Sequence, residues 1–297
     1  MTNTATSSET RRRATLIGAG AVFLWGSLAI LTTLTGDVPP FQMVAIAFGV
    51  AFVIALTKWV VRGETVLHQF RHPGRAWSIG IIGLFGYHVL VFTALKSAPP
   101  VQANLINYLW PLLIVFFSAL LPGEKLRPRH VAGTLLGFAG VYLLVTGGAS
   151  VRPDPAYLHG YAAAFAAALM WSTYSVASSR LGDVPTDAIG VFCLAAGVLS
   201  LIAHILFETT VSPSFREWLA LIALGLGPAG GAFFLWDWGM KRGSVRTLGG
   251  IAYCAPLLST ALLIALGPGS LTPMVAIAAV AIVAGCVLAA GDLFSRS

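Results

Sequence analysis

Residues Val101–Leu121 read VQANLINYLWPLLIVFFSALL, and the reading of this stretch decides the fold. It is long enough to cross a hydrocarbon core, which takes about 20 predominantly apolar residues. Its first half nevertheless carries Gln102, Asn104, Asn107 and Tyr108, and Pro111 stands at its middle. Asn104, Asn107, Tyr108 and Pro111 are spaced i, i+3, i+4, i+7, which places them on one face of a helix. Lipid offers no hydrogen bonds to such a face, so it must look at protein or at water. The pattern returns 145 residues later in Arg246–Leu266, RTLGGIAYCAPLLSTALLIAL, where Tyr108 falls on Tyr253, Pro111 on Pro256 and Leu112-Leu113 on Leu257-Leu258.

The rest of the chain has the same character. Of 297 residues, 57% are hydrophobic and 10% charged, and the mean hydropathy is +0.83. A soluble domain carries about 25% charged residues, so the composition defines an all-α polytopic membrane protein. Apolar runs bounded by charge, Pro or Gly place ten transmembrane helices at about 14–35, 40–61, 76–96, 101–121, 129–147, 158–179, 186–207, 217–240, 246–266 and 272–291. The polar start and Arg11-Arg12-Arg13, followed by an apolar run too long for a signal peptide, read as a retained first helix. Cys193, Cys254 and Cys286 lie inside apolar runs and read as small hydrophobes.

The charge of +7 does not point to nucleic acid, because its placement follows the membrane. With both termini cytoplasmic, 15 of the 18 Lys and Arg residues fall on the cytoplasmic side, leaving Lys96, Arg152 and Arg216 outside. The repeat holds along the chain at an offset of 145 to 146: Trp25 matches Trp171, Pro39 matches Pro185, Lys96 matches Lys241, and Ala139-Gly140 matches Ala284-Gly285. The expected organisation is a tail (1–13), a first five-helix repeat (14–147), a second (158–291) and a tail (292–297). An odd number of spans per repeat inserts the second half upside down. Inverted repeats around a midplane site recur in secondary transporters.

Candidate site residues follow from polar and aromatic groups at membrane depth. Asn104 and Asn107 either wall a cavity, hydrogen-bonding a substrate, or join helices; Gly249 and Ala252 replace them in the second half, so the site is asymmetric. Trp25, Tyr87, Trp171 and Tyr174 lie away from the interfacial belts where Trp and Tyr usually sit. With Tyr108, Tyr253 and Ser178 they suggest a cavity for a flat, amphipathic solute, or else ordinary aromatic packing. On helix 8, Phe233, Phe234, Trp236 and Trp238 form a further aromatic group. His88 is the best-placed intramembrane titratable group, and His204 raises the same question. Asp237, four residues before Lys241, is either a proton site or an ion pair. Pro111 and Pro256 each remove a mid-span hydrogen bond, as a hinge or as a static kink. Gly133-x-x-x-Gly137 with Gly140, and Ala281-x-x-x-Gly285, permit close helix packing away from the pore. Gly80, Gly83 and Gly86 beside Tyr87 offer room for a solute to approach the backbone, or for helix 3 to slide. No ATP-binding loop, hydrolase motif or Cys/His cluster is present, which argues against an enzyme, a cofactor or a metal.

The pattern resembles the drug/metabolite transporter superfamily and its EamA-domain members. The residues that carry the resemblance are Trp25-Gly26, the mid-span Pro111 and Pro256, Gly123-Glu124-Lys125-Leu126, and Gly140-Val141. The second half departs from it at Pro268-Gly269-Ser270-Leu271, which lacks the acidic residue. Within the family the chain is similar to YddG-type aromatic amino-acid exporters of bacterial inner membranes. The resemblance implies alternating access and a partner that is a small solute, an aromatic or other neutral amino acid, with the lipid bilayer as surroundings. Export of another metabolite or a drug, or a non-transporting sensor or scaffold, are the alternatives.

Overall fold

The computed structural model describes residues 2–122, 126–266 and 270–291, with side chains from Ser8 onward. The motif residues Gly123, Glu124 and Lys125, the loop residues Pro268 and Gly269, and the tail with Arg296 lie outside the described residues. Among those described, all regular structure is helical. The helices are α1 (Thr2–Gly26), α2 (Leu28–Thr33), α3 (Pro40–Val61), α4 (Gly74–Ile81), α5 (Tyr87–Ser97), α6 (Pro100–Asn107), α7 (Trp110–Ser118) and α8 (Pro128–Thr146), then α9 (Leu158–Ser179), α10 (Ala188–Phe207), α11 (Phe215–Leu226), α12 (Gly231–Arg242), α13 (Val245–Ile251), α14 (Cys254–Leu266) and α15 (Pro273–Ala289).

Eight helical stretches are long and apolar enough to cross a membrane: Ser8–Thr33, Pro40–Val61, Gly74–Ser97, Pro100–Ser118, Pro128–Thr146, Ala188–Phe207, Phe215–Arg242 and Val245–Leu266. The protein is therefore a multi-pass membrane protein. The two remaining apolar runs are helical as well. α9 has 22 residues but is less apolar overall, and α15 is apolar but has 17 residues.

Several spans are broken, and the breaks repeat with the sequence. A π-helical turn, Ile82–Gly86, separates α4 from α5, and Gly227–Gly230 separates α11 from α12. The chain breaks at Tyr108–Leu109 between α6 and α7, and at Ala252–Tyr253 between α13 and α14. The prolines stand just after two of these breaks. Pro111 sits in the first turn of α7 and Pro256 in the first turn of α14, where a missing N–H leaves no helical bond unmade. Each proline starts a new segment just after a break rather than kinking a continuous helix.

Packing follows the same pseudo-symmetry. α1 packs on α12, and their counterparts α9 and α5 pack on each other; α3 pairs with α10 and α8 with α15. The α8–α15 contact is backbone to backbone. A Cβ on Gly133 would lie 2.6 Å from Gly285 O, and one on Gly285 would lie 2.6 Å from Gly133 O. Small residues permit that approach, and it supplies the dispersion contact that holds helices together in lipid.

Candidate functional site

Four tryptophans from four different spans meet at the centre of the bundle. The Trp25 ring of α1 lies 5.9 Å from Trp110, 5.8 Å from Trp171 and 5.0 Å from Trp236, while Trp110 lies 6.2 Å from Trp171 and 6.0 Å from Trp236. Most of the contacts are edge to face, the arrangement that the ring quadrupole favours. Hydrogen bonds orient the rings. Trp25 Nε1 donates to Pro228 O at 3.1 Å, in the break before α12, and Trp236 Nε1 donates to Ser175 Oγ at 3.0 Å. Ser172 Oγ donates to the backbone oxygen of Trp110 at 2.9 Å, tying α9 to α7. Trp110, Trp171 and Trp236 are buried, whereas Trp25 is half-buried.

A half-buried wall continues from this cluster. Tyr87 stands 5.2 Å from Trp171 and 5.4 Å from His88, and His88 meets Phe48 at 5.3 Å and Phe92 at 5.8 Å. His88 Nδ1 donates to Leu84 O at 2.7 Å, which leaves Nε2 as the acceptor in the neutral ring. Asn107 Nδ2 donates to the Tyr87 hydroxyl at 3.2 Å, and Asn107 Oδ1 is buried with no hydrogen-bond partner among the described residues. Asn104, one turn earlier on α6, is half-buried. The wall is aromatic and carries no formal charge, so it suits a flat solute that is neutral overall.

Other candidates lie apart from this centre. The Tyr253 ring is fully buried, 6.3 Å from Phe138, and its hydroxyl donates to Tyr108 O at 3.1 Å. Tyr108 and Tyr253 thus belong to a second cluster with Val141, Ile282 and Cys286 between α8 and α15. Ser178 is buried two turns beyond Trp171 and donates to Ser175 O. The Tyr174 ring lies 5.2 Å from Trp171, tilted by 41°. The glycines of the helix 3 region face protein instead of solute: a Cβ on Gly83 would strike the Tyr174 ring at 2.2 Å, and one on Gly80 the Phe192 ring at 2.5 Å. His204 is held by Glu208 and Thr210 at 3.0 and 2.9 Å. Gln102 donates to Arg152 O and accepts from the Tyr161 hydroxyl. Cys254 and Cys286 bring their Sγ atoms to 3.0 Å as free thiols.

Asp237 and Lys241 are paired at 2.8 Å, with side chains 2% and 4% exposed. Asp237 Oδ2 also accepts from Thr186 Oγ1 at 2.7 Å, and Lys241 Nζ also donates to Val184 O at 3.0 Å. Beside this pair, at the basic end of the molecule, a polar cavity of about 580 Å³ is lined by Glu64, His68, Arg71, His72, Asp183 and Asp187. Burial, with the positive charges of Lys241 and His68, lowers the His72 pKa below its usual 6.5. The Arg75 guanidinium holds the Asp183 carboxyl below the usual carboxylate range.

The sequence reading missed Trp110 as a wall residue and gave Trp236 no site role. The available signal was the mid-span depth that had already singled out Trp25 and Trp171. Ser172, which ties α9 to the backbone of Trp110, was hidden because Ser in a helix commonly bonds its own backbone.

The EamA-like transporter family matches the chain twice, over residues 12–146 and 158–291. The chain belongs to that family, a family of membrane transporters and not of enzymes. It is 51% identical, over 94% of its length and 97% of the relative's, to the aromatic amino acid exporter YddG of Ancylobacter novellus. It is 26% identical to the aromatic amino acid exporter YddG of Salmonella typhimurium, over 85% of this chain and 88% of that one. A solved crystal structure at 50% identity superposes with a TM-score of 0.90, covering 94% of this chain and 96% of the other.

Proposed function

We propose that this protein is a secondary exporter of aromatic, and of other neutral, amino acids, working by alternating access across the bacterial inner membrane. One observation carries the reading: the half-buried rings of Trp25 and Tyr87, backed by the buried Trp171, meet a buried carbonyl, Asn107 Oδ1, that has no donor among the described residues. The solute's ring lies against the indoles, and its ammonium donates to Asn107 Oδ1. His88 Nε2 and the Asn104 amide stand nearby for the remaining polar groups. The names of the relatives support the substrate class.

In this reading ten spans form two inverted five-helix repeats, 14–147 and 158–291, with both termini cytoplasmic. The paired breaks at Tyr108–Leu109 and Ala252–Tyr253, each followed by a proline, act as hinges when the repeats exchange conformations. The basic loops lie in the cytoplasm, in accord with the positive-inside rule.

The test is transport by purified protein in liposomes. Labelled phenylalanine or tryptophan should move at a rate that excess unlabelled tryptophan suppresses. Flux no greater than in protein-free liposomes overturns the reading. Repeating the assay under an imposed pH gradient separates proton exchange from facilitated diffusion.

A further inference from the structure

The repeat allows the two ends of the molecule to be compared position by position. At the basic end, α12 is fastened to the segment that leads into α10. Asp237 accepts from Lys241 and from Thr186, and Lys241 reaches the carbonyl of Val184. Two further ion pairs hold the same segment: Lys58 of α3 with Asp187 at 2.6 Å, and Arg75 of α4 with Asp183 at 2.7 Å. At the opposite end Phe92 stands for Asp237 and Lys96 for Lys241, 145 residues earlier, and Val38 and Pro40 stand for Val184 and Thr186 in the register that sets Pro39 on Pro185. The rings of Phe41 and Phe92 meet edge to face at 5.1 Å. Lys96 is exposed and, among the described residues, makes no hydrogen bond or ion pair.

The two ends are therefore built to one plan but are not in the same state. Burial follows the same division. Around the basic end Tyr174, Ser175, Ser178, Asp237 and Met240 are all buried, whereas Phe41, Tyr87, His88, Phe92 and Asn104 at the other end are only half-buried.

We propose that these are the two gates of the transport cycle: the structure holds the gate of Asp237, Lys241, Thr186 and Val184 shut, and Lys96 closes the other by reaching the carbonyl of Val38. The proposal rests on the alternating-access reading above. If the two repeats exchange conformations, the lysine of the open end must come to make the bond that its counterpart makes at the closed end. The gates are also unequal in strength. Only the basic end has a carboxylate beside its lysine, so the resting protein is biased towards that gate being closed. Asp237 and Lys241 are positioning residues in this account, since neither lies against the aromatic wall.

Accessibility of single thiols tests the proposal in a variant with Cys193, Cys254 and Cys286 replaced. A Ser178→Cys reporter lies behind the basic-end gate and an Asn104→Cys reporter lies on the other side. Both are labelled with a membrane-impermeant maleimide in vesicles of known orientation. Asp237→Asn should speed labelling at Ser178→Cys by about tenfold and slow it at Asn104→Cys, because a population shift is reciprocal. Adding Lys96→Met to Asp237→Asn should return both rates towards their starting values. The double variant Asp237→Asn/Lys241→Met removes the pair without leaving a buried unpaired charge; it should show the same shift at an unchanged melting temperature. Unchanged labelling at both reporters, or faster labelling at both, overturns the gate assignment. Unchanged labelling in protein that still moves tryptophan would sink the gates and leave the export reading standing. Reciprocal labelling in protein that moves no amino acid would leave the gates and sink the substrate.

Discussion

The amide nitrogen of Asn107 donates to the Tyr87 hydroxyl across 3.2 Å, while the carbonyl oxygen of the same side chain is buried and accepts nothing from the described residues. Leaving a buried acceptor unpaired costs about 1–3 kcal/mol. A cost of that size is tolerated where a ligand supplies the missing donor, and an amino acid's ammonium is such a donor.

Asn107→Leu should therefore separate function from stability. The substitution removes an unpaired acceptor along with one neutral hydrogen bond worth about 1 kcal/mol. Tryptophan flux should fall by about tenfold or more, while the melting temperature holds or rises. A variant that transports at the wild-type rate would remove Asn107 from the site.

The indole wall makes a graded prediction. Trp25→Phe keeps an aromatic face but gives up the bond to Pro228 O and part of the contact with Trp171 and Trp236. Aromatic pairs are worth about 0.5–1.5 kcal/mol beyond their area. The apparent KM for tryptophan should rise by about three- to tenfold, and the effect should be smaller for a small aliphatic amino acid. Equal losses for both solutes would mean that the ring contributes only to packing.

Acid should loosen the polar loops at the basic end. The pKa of His72 is lowered in the folded protein, so the unfolded chain takes up that proton first and stability falls as pH drops through about 6.5. The pKa of Asp183 is also lowered, by Arg75, so its contribution is present above the ordinary carboxylate range and is lost at lower pH still. Glu64, Asp187, Arg71 and His68 line the same cavity. The melting temperature should be level above pH 7 and decline in two stages below it. His72→Phe should abolish the first stage, and a first stage that survives in that variant would remove His72 as its source.

The contact between α8 and α15 should be intolerant of volume. Gly133→Val or Gly285→Val drives side-chain atoms into facing backbone only 2.6 Å from the Cβ position, so the helices must separate. Gly49 has nothing within 4 Å of its Cβ position and serves as the control. Yield of folded, detergent-stable protein should collapse for the two valine variants and stay normal for Gly49→Ala. Normal yield from Gly133→Val would show that the interface can spread.

Much of this protein was legible in its chain because bilayer insertion is governed by local, roughly additive hydropathy. The apolar runs and the offset of 145 to 146 residues needed no knowledge of contacts. The same depth argument found Trp25, Tyr87 and Trp171. It did not separate them from Tyr253, which sits at a matching depth in its helix but turns towards Phe138 and the carbonyl of Tyr108. Periodicity gives the face of a helix and leaves open which neighbour that face meets.

The opening stretch, Val101–Leu121, shows where that boundary falls. Its length, its polar face and its echo around Tyr253 and Pro256 were determined by the sequence alone, since each depends on residue type and spacing. Three features came only from the tertiary structure: a break at Tyr108–Leu109 with Pro111 starting the second segment, the closure of the indole cluster by Trp110, and the single unpaired oxygen of Asn107. Each depends on how separate helices rotate and approach one another, and no property of a single helix encodes that.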